Sequence, residues 1–171
     1  FGEKRIPIIK SNIGWKYMHK VYEGCSTILT TTKSVVNMLK EKGFTQEIKA
    51  WSRGVDRNIF KPSKEYKKTS KNVLLCVSRV SHEKGLDDFC GLEYPDSIKI
   101  LVGDGPYLKT LKKKYPDVNF VGKKIGKELA HYYQNADVFV FPSKVDTFGV
   151  VQIEAMACGT PVAAYPVIGP I

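Results

Sequence analysis

From residue 73 onward, short apolar runs alternate with stretches of helical spacing, and that alternation confines most of the chain to one broad architecture. Strand-like runs lie at about 73–79, 97–102, 118–121, 137–141 and 161–164, and helix-like stretches at about 84–90, 106–115, 126–134 and 148–158. Alternation of this kind predicts an α/β fold, a doubly wound parallel Rossmann-like sheet flanked by helices. Such sheets bind ligands beyond the carboxyl ends of their strands. Polar and turn-forming residues fall at those ends: Ser78 and Arg79, Gly103-Asp104-Gly105-Pro106, Gly122, and the turn over 142–149.

The earlier part is less regular. Ile6-Pro7-Ile8-Ile9 reads as a loop or edge strand. Trp15, Met18, Val21, Tyr22 and Cys25 recur at helical spacing and predict an apolar stripe. Ser26 to Thr30 reads as a strand. Thr31 or Thr32 would then cap a helix running to about Lys42 and ended by Gly43, and Gln46 to Trp51 would form another strand. Over 52–72 the pattern dissolves into turn residues and a lysine-rich run, the composition of an interdomain linker. The expected organisation is therefore 1–51, the end of one domain; 52–72, a linker; and 73–171, most of a second. A chain that starts at Phe1 and stops at Gly169-Pro170-Ile171 is expected to be a piece of something longer, with both domains incomplete.

Charge is unevenly placed. Residues 1–72 carry 16 Lys and Arg against 6 Asp and Glu, net +10, whereas 73–171 carry 11 of each, net zero. The basic part suits an acidic partner such as an anionic membrane surface or a phosphorylated substrate, or simply a lysine-rich solvated surface. Nucleic acid, which Trp15, Tyr17, Tyr22 and Trp51 within that part also bring to mind, is the least supported partner. Cysteines 25, 76, 90 and 158 form no Cys-x-x-Cys pair, so reduced thiols and a cytoplasmic protein are expected. No apolar run approaches the roughly 20 residues needed to span a bilayer, so any membrane contact is expected to be peripheral. His19, His82 and His131 are scattered, no Asp-x-Asp occurs, and Gly103-Asp104-Gly105-Pro106 is not the dinucleotide fingerprint. Neither a metal site nor a nicotinamide cofactor is expected. The glycine turn is expected to place Asp104 as cap of the helix that follows.

The chemistry concentrates between Asp146 and Pro161. A helix is expected to open at about Thr147 and close at Gly159, with Pro161 preventing its continuation. Two carboxylates eight residues apart, Asp146 and Glu154, would lie roughly 12 Å apart along such a helix and within about 80° of one face. The N–H groups of Phe148, Gly149 and Val150 between them would form an anion site. That arrangement suits a diphosphate carrying a polar group at each end. Glu154 lies among Val, Ile, Ala and Met, where a carboxylate is costly without a partner, and a ligand hydroxyl would be one. The plain alternative makes Asp146 or Thr147 an ordinary N-cap and Glu154 the solvent-facing residue of a core helix. Arg79 and Lys84, five residues apart at a strand end, could both reach the same diphosphate; their plain alternative is surface ion pairing.

Ser78-Arg79 with Lys84-Gly85, Gly103-Asp104-Gly105-Pro106, the run Asn135 to Ser143, and Asp146-Thr147-Phe148-Gly149 leading to Glu154-Ala155-Met156-Ala157-Cys158-Gly159-Thr160-Pro161 together closely resemble the retaining GT-B-fold glycosyltransferases of family 4. The stretch Trp51 to Asp56 with Phe60-Lys61-Pro62 resembles that family's interdomain linker. The resemblance implies a sugar moved from a nucleoside diphosphate sugar, of UDP or GDP type, to a hydroxyl acceptor without any cofactor. It implies that Arg79, Lys84 and the helix mouth at Phe148, Gly149 and Val150 hold the diphosphate and that Glu154 binds the ribose. The earlier carboxylate, usually Glu, contacts the donor sugar; here it is Asp146, one methylene shorter, beside Thr147. The Asp-Thr-Phe-Gly form resembles a branch acting on lipid or lipid-linked acceptors. A non-catalytic module that binds nucleotide sugars or phosphate is the alternative from another class.

Overall fold

The computed structural model describes residues 11–63, 70–146 and 148–166. The Ile6 to Ile9 segment, much of the lysine-rich run and Thr147 lie outside the described residues. The chain divides into two compact units, Phe1–Ser52 and Arg53–Ile171.

In the first unit, α1 (Ser11–Tyr22) and α2 (Lys33–Glu41) accompany β1 (Thr27–Thr30) and β2 (Glu47–Ala50). The two strands pair in parallel, Thr27 opposite Glu47. Thr32 caps α2 by accepting from the Val35 N–H at 3.3 Å, and Gly43, at φ 87°, takes the left-handed turn after it. Phe44 is buried among the rings of His19, stacked at 4.1 Å, Trp15 and Tyr22. The apolar stripe is shorter than its spacing predicted. Val21 stays 52% exposed, and Cys25 lies beyond the helix, which stops at Tyr22 before Gly24.

The second unit contains β3 (Asn72–Val77), a 3-10 turn at His82–Lys84, α3 (Leu86–Cys90), β4 (Ser97–Val102), α4 (Leu108–Lys114), β5 (Asn119–Gly122), α5 (Gly126–Gln134), β6 (Val138–Phe141), α6 (Val150–Ala157) and β7 (Val162–Ala164). All five strands are parallel, in the order β5-β4-β3-β6-β7. The sequence of β3, Asn-Val-Leu-Leu-Cys-Val, explains its central place. Side chains alternate across a strand, so Val73, Leu75 and Val77 join one core with Tyr133, Phe139 and Ala155, while Leu74 and Cys76 join another with Leu86, Phe89, Leu101 and Leu111. A strand apolar on both faces must be covered by helices on both, which is the doubly wound arrangement. Burying a Leu such as Leu75 or Leu101 contributes about 1.5–3 kcal/mol.

Three expected boundaries move. The helix expected over 84–90 is the 3-10 turn followed by α3, because Gly85 takes a left-handed φ of 63° between them. The one expected over 106–115 starts at Leu108, with Tyr107 before it as the cap and the Tyr107 N–H donating to the Val80 carbonyl. The one expected from 147 or 148 starts at Val150, after Gly149 at φ 71°. Part of the stretch expected to be linker packs as core: Phe60 is buried edge-to-face on Tyr133 at 6.1 Å, with Val55 and Ile59 beside it.

Candidate functional site

The order of the strands creates the site. Chain leaving β3 crosses to β4 on one side, and chain leaving β6 crosses to β7 on the other, so the loops after these two neighbours diverge and open a crevice. Backbone closeness holds its walls. A Cβ at Gly85 would lie 2.5 Å from the Pro142 carbonyl oxygen, and one at Gly103, whose φ is 146°, would lie 1.8 Å from that of Ser78. Hydrogen bonds from Val80 N–H to the Asp104 carbonyl and from Tyr107 N–H to the Val80 carbonyl join the same two loops. Asp104 does not cap α4. Its carboxylate accepts from the Gly105 N–H at 2.7 Å, and the glycine turn serves the approach of two loops instead.

At the crevice, Lys84 and Asp146, 62 residues apart in sequence, form an ion pair of 2.9 Å with both side chains about four-fifths buried. The other Asp146 oxygen accepts from the N–H groups of Gly149 at 3.2 Å and Phe148 at 3.4 Å. Burial opposes ionisation of Asp146, but the Lys84 ammonium and the two N–H groups outweigh it and hold the carboxyl below its usual range. Two of the three N–H groups expected to be free are thus occupied by the protein's own carboxylate. Val150 is the first residue of the helix. Since Asp146, Phe148 and Gly149 are not helical and α6 begins at Val150, the 12 Å ruler drawn from Asp146 to Glu154 does not apply.

Arg79 makes the ion pair that its plain alternative describes and keeps most of its side chain exposed. Its guanidinium pairs with Glu83 at 2.7 Å and donates to the Ser81 hydroxyl, while its side chain remains 70% exposed. The Ser81 hydroxyl, the Glu83 backbone and Arg79 together bring the Glu83 carboxyl down to about 2. Arg79 nevertheless lines a cleft of about 380 Å³ with Ser78, Asp104, Lys123, Lys124 and Val151. Lys123 and Lys124 were overlooked, although they follow Gly122 at the carboxyl end of β5, where the rule about strand ends directs attention.

Glu154 lies one turn beyond Val151 on α6. Its partner is a buried phenol absent from the expected site: the Tyr133 hydroxyl, on α5, donates to its carboxylate at 2.9 Å. Burial raises the Glu154 pKa, with the Tyr133 bond opposing. A carboxyl whose folded pKa exceeds its unfolded one favours folding most when protonated, and that contribution fades as pH rises through the folded value. At neutral pH the charged Glu154 therefore costs stability. Glu154→Gln is expected to raise Tm at pH 7, by about 2–4 °C for each kcal/mol relieved, and to lose this advantage at pH 4. Calorimetric melting at both pH values checks it; a lower Tm at pH 7 would show that the carboxylate supports the fold.

The strand order and the crevice it opens are those of a Rossmann-like unit of the GT-B glycosyltransferase type. The chain belongs to the family described as glycosyl transferases group 1, which its residues 56–171 match. It is 33% identical over 166 residues to the GDP-mannose-dependent alpha-mannosyltransferase of Corynebacterium glutamicum, covering 92% of this chain and 40% of that protein. It is 30% identical over 165 residues to the sulfoquinovosyl transferase SQD2 of Arabidopsis thaliana, covering 88% of this chain and 32% of that one. Among solved structures it is similar to sucrose-phosphate synthase from Thermosynechococcus elongatus, with a TM-score of 0.78 and 27% identity over 91% of this chain and 44% of that one. The chain spans less than half the length of these proteins.

Proposed function

We propose that this chain supplies the donor-binding part of an enzyme that moves a sugar from a UDP- or GDP-sugar to a hydroxyl acceptor, with retention of anomeric configuration. The observation that carries this reading is the convergence of Lys84, Asp146 and the Phe148 and Gly149 N–H groups at the switch point of a parallel sheet. A diphosphate needs a cation and backbone donors, and a leaving diphosphate is stabilised by the same groups as its charge develops. Lys84, the two N–H groups and Arg79 then do the work of a divalent ion. Asp146, and Thr147 beside it, face the donor sugar, Asp146 acting at the reacting centre, and Glu154 accepts from the ribose hydroxyls. The C. glutamicum relative is a GDP-mannose-dependent enzyme, which favours GDP-mannose as the first donor to try. The net charge of +10 over 1–72 fits an acceptor held at an anionic membrane surface on the cytoplasmic side, and a lipid or lipid-linked hydroxyl belongs to that setting. Among the described residues no helix is long and apolar enough to cross a membrane.

The test is a panel of UDP-, GDP- and ADP-sugars offered, with lipid and soluble acceptors, to the full-length enzyme, since the donor-binding part alone is expected to be inactive; the product anomer is read by NMR and the assay is repeated in EDTA. The expected outcome is turnover of one donor, a retained anomer and no loss on chelation. Binding without turnover would favour the non-catalytic module, and loss restored by Mn²⁺ would refute the metal-independent route. Within this site Arg79→Ala is expected to weaken binding of the nucleoside diphosphate by about 1.5–3 kcal/mol, the range for hydrogen bonds to charged groups. The unphosphorylated nucleoside should bind both proteins alike. Equal losses for the two ligands would mean that Arg79 serves the fold through Glu83.

A further inference from the structure

We propose that Tyr133 is the positioning residue that holds the Glu154 carboxylate in the orientation from which it reads the donor's ribose, an inference that rests on the function proposed above. The ring is fully buried and meets Phe60 and Phe139 edge-to-face at 6.1 and 5.5 Å, so it has little freedom to turn. Its main-chain carbonyl accepts from the buried Thr160 hydroxyl at 2.6 Å, which ties α5 to the segment leaving α6. From this socket the phenol reaches one oxygen of Glu154, Oε2, at 2.9 Å. Among the described residues the Glu154 carboxylate has no other hydrogen-bond or ion-pair partner.

The arrangement is asymmetric, and the asymmetry is useful to a ligand. One donor on Oε2 orients the carboxylate and leaves Oε1 with its acceptor capacity for the two adjacent hydroxyls of a ribose. A half-buried carboxylate with no donor at all would tend to protonate and become a poorer acceptor. Tyr133 opposes that, since burial raises the Glu154 pKa and the phenol bond lowers it. Cys158 is the other titratable group whose charge would be felt by Glu154; its thiol is pushed up to about 11 by burial and stays neutral. Tyr133 thus keeps Glu154 oriented and ionised at the pH where it must accept.

The experiment titrates the full chain and its Tyr133→Phe variant with GDP, UDP and their 2′,3′-dideoxy counterparts between about pH 5 and 8. The expected result is a five- to twentyfold loss for the ribose-bearing ligand and a change of less than twofold for the dideoxy ligand. The loss should deepen as pH falls, because Glu154 without its donor protonates earlier. In a Glu154→Gln background, Tyr133→Phe should add nothing. Equal losses for ribose and dideoxy ligands, or a pH-independent loss, would make Tyr133 a core residue only and overturn the proposal. If the parent binds GDP or UDP but ignores the missing hydroxyls, the proposal fails while donor binding stands; if it binds neither, both fail. Should Tyr133→Phe not fold, 3,5-difluorotyrosine at 133 takes its place. Its stronger donor is expected to move the pH dependence downward, and no movement would overturn the proposal.

Discussion

Gly103→Ala is expected to destabilise the second unit by about 3 kcal/mol or more, the range reached when a substitution breaks a specific packing or backbone constraint. The added Cβ would stand 1.8 Å from the Ser78 carbonyl oxygen, a backbone atom that cannot rotate away, and the φ of 146° is itself one that side-chain-bearing residues rarely adopt. Relief requires the loop after β4 and the loop after β3 to part, which also breaks the bonds between Val80 and Asp104 and between Tyr107 and Val80. At about 2–4 °C per kcal/mol, Tm should fall by roughly 6 °C or more. Gly54→Ala, in the same unit and with nothing within 4 Å of its added Cβ, provides the control and should melt with the parent. Nucleoside diphosphate binding should suffer in Gly103→Ala even in the folded fraction, because Ser78, Arg79 and Asp104 line one cleft. Equal melting of the two variants would mean that the loops do not approach this closely in solution.

The parallel sheet was legible because apolar runs of strand length are a local signal, and β3 to β7 fall within a few residues of where those runs lie. What the sequence could not supply were the partners of polar groups, which depend on elements distant in the chain. Lys84 and Arg79 look equivalent on paper, five residues apart at one strand end. In the fold Lys84 turns across the crevice to Asp146 while Arg79 stays on its own loop with Glu83. Tyr133 was invisible for a related reason. A Tyr on the apolar face of an amphipathic helix reads as core, and so it is, but its hydroxyl needs an acceptor, and Glu154 looked solitary only because its partner lies 21 residues away. The start of α6 was misplaced because Asp146 and a left-handed Gly149 form a short capped loop where propensity alone allows another half turn.

That capped loop gives the sharpest expectation for the site, because substitutions of the two members of one ion pair should move diphosphate affinity in opposite directions. Spacing along a helix alone would make Asp146→Asn silent toward the nucleoside diphosphate, since Asp146 would face only the sugar. The geometry says otherwise: Asp146 already occupies Lys84 and the Phe148 and Gly149 N–H groups that a diphosphate would use. Asn caps about as well as Asp, so Asp146→Asn should keep the loop while removing the competing charge. Affinity for GDP or UDP should then rise by about 1 kcal/mol, roughly fivefold, the scale of a partly exposed ion pair. Lys84→Met keeps the aliphatic stem but removes the cation and leaves Asp146 uncompensated beside the phosphates. It should weaken the same ligands by about 2–3 kcal/mol, some 30- to 150-fold. Turnover of the full-length enzyme should fall with both substitutions, in Lys84→Met through binding and in Asp146→Asn despite better binding, because a carboxylate displaced by the diphosphate is the group left to face the sugar. Calorimetry with GDP and UDP on parent and variants, followed by donor turnover, decides it. Unchanged affinity in Asp146→Asn would mean that the diphosphate never meets this carboxylate, and weakened affinity would make Asp146 a ligand of the diphosphate site and not its occupant.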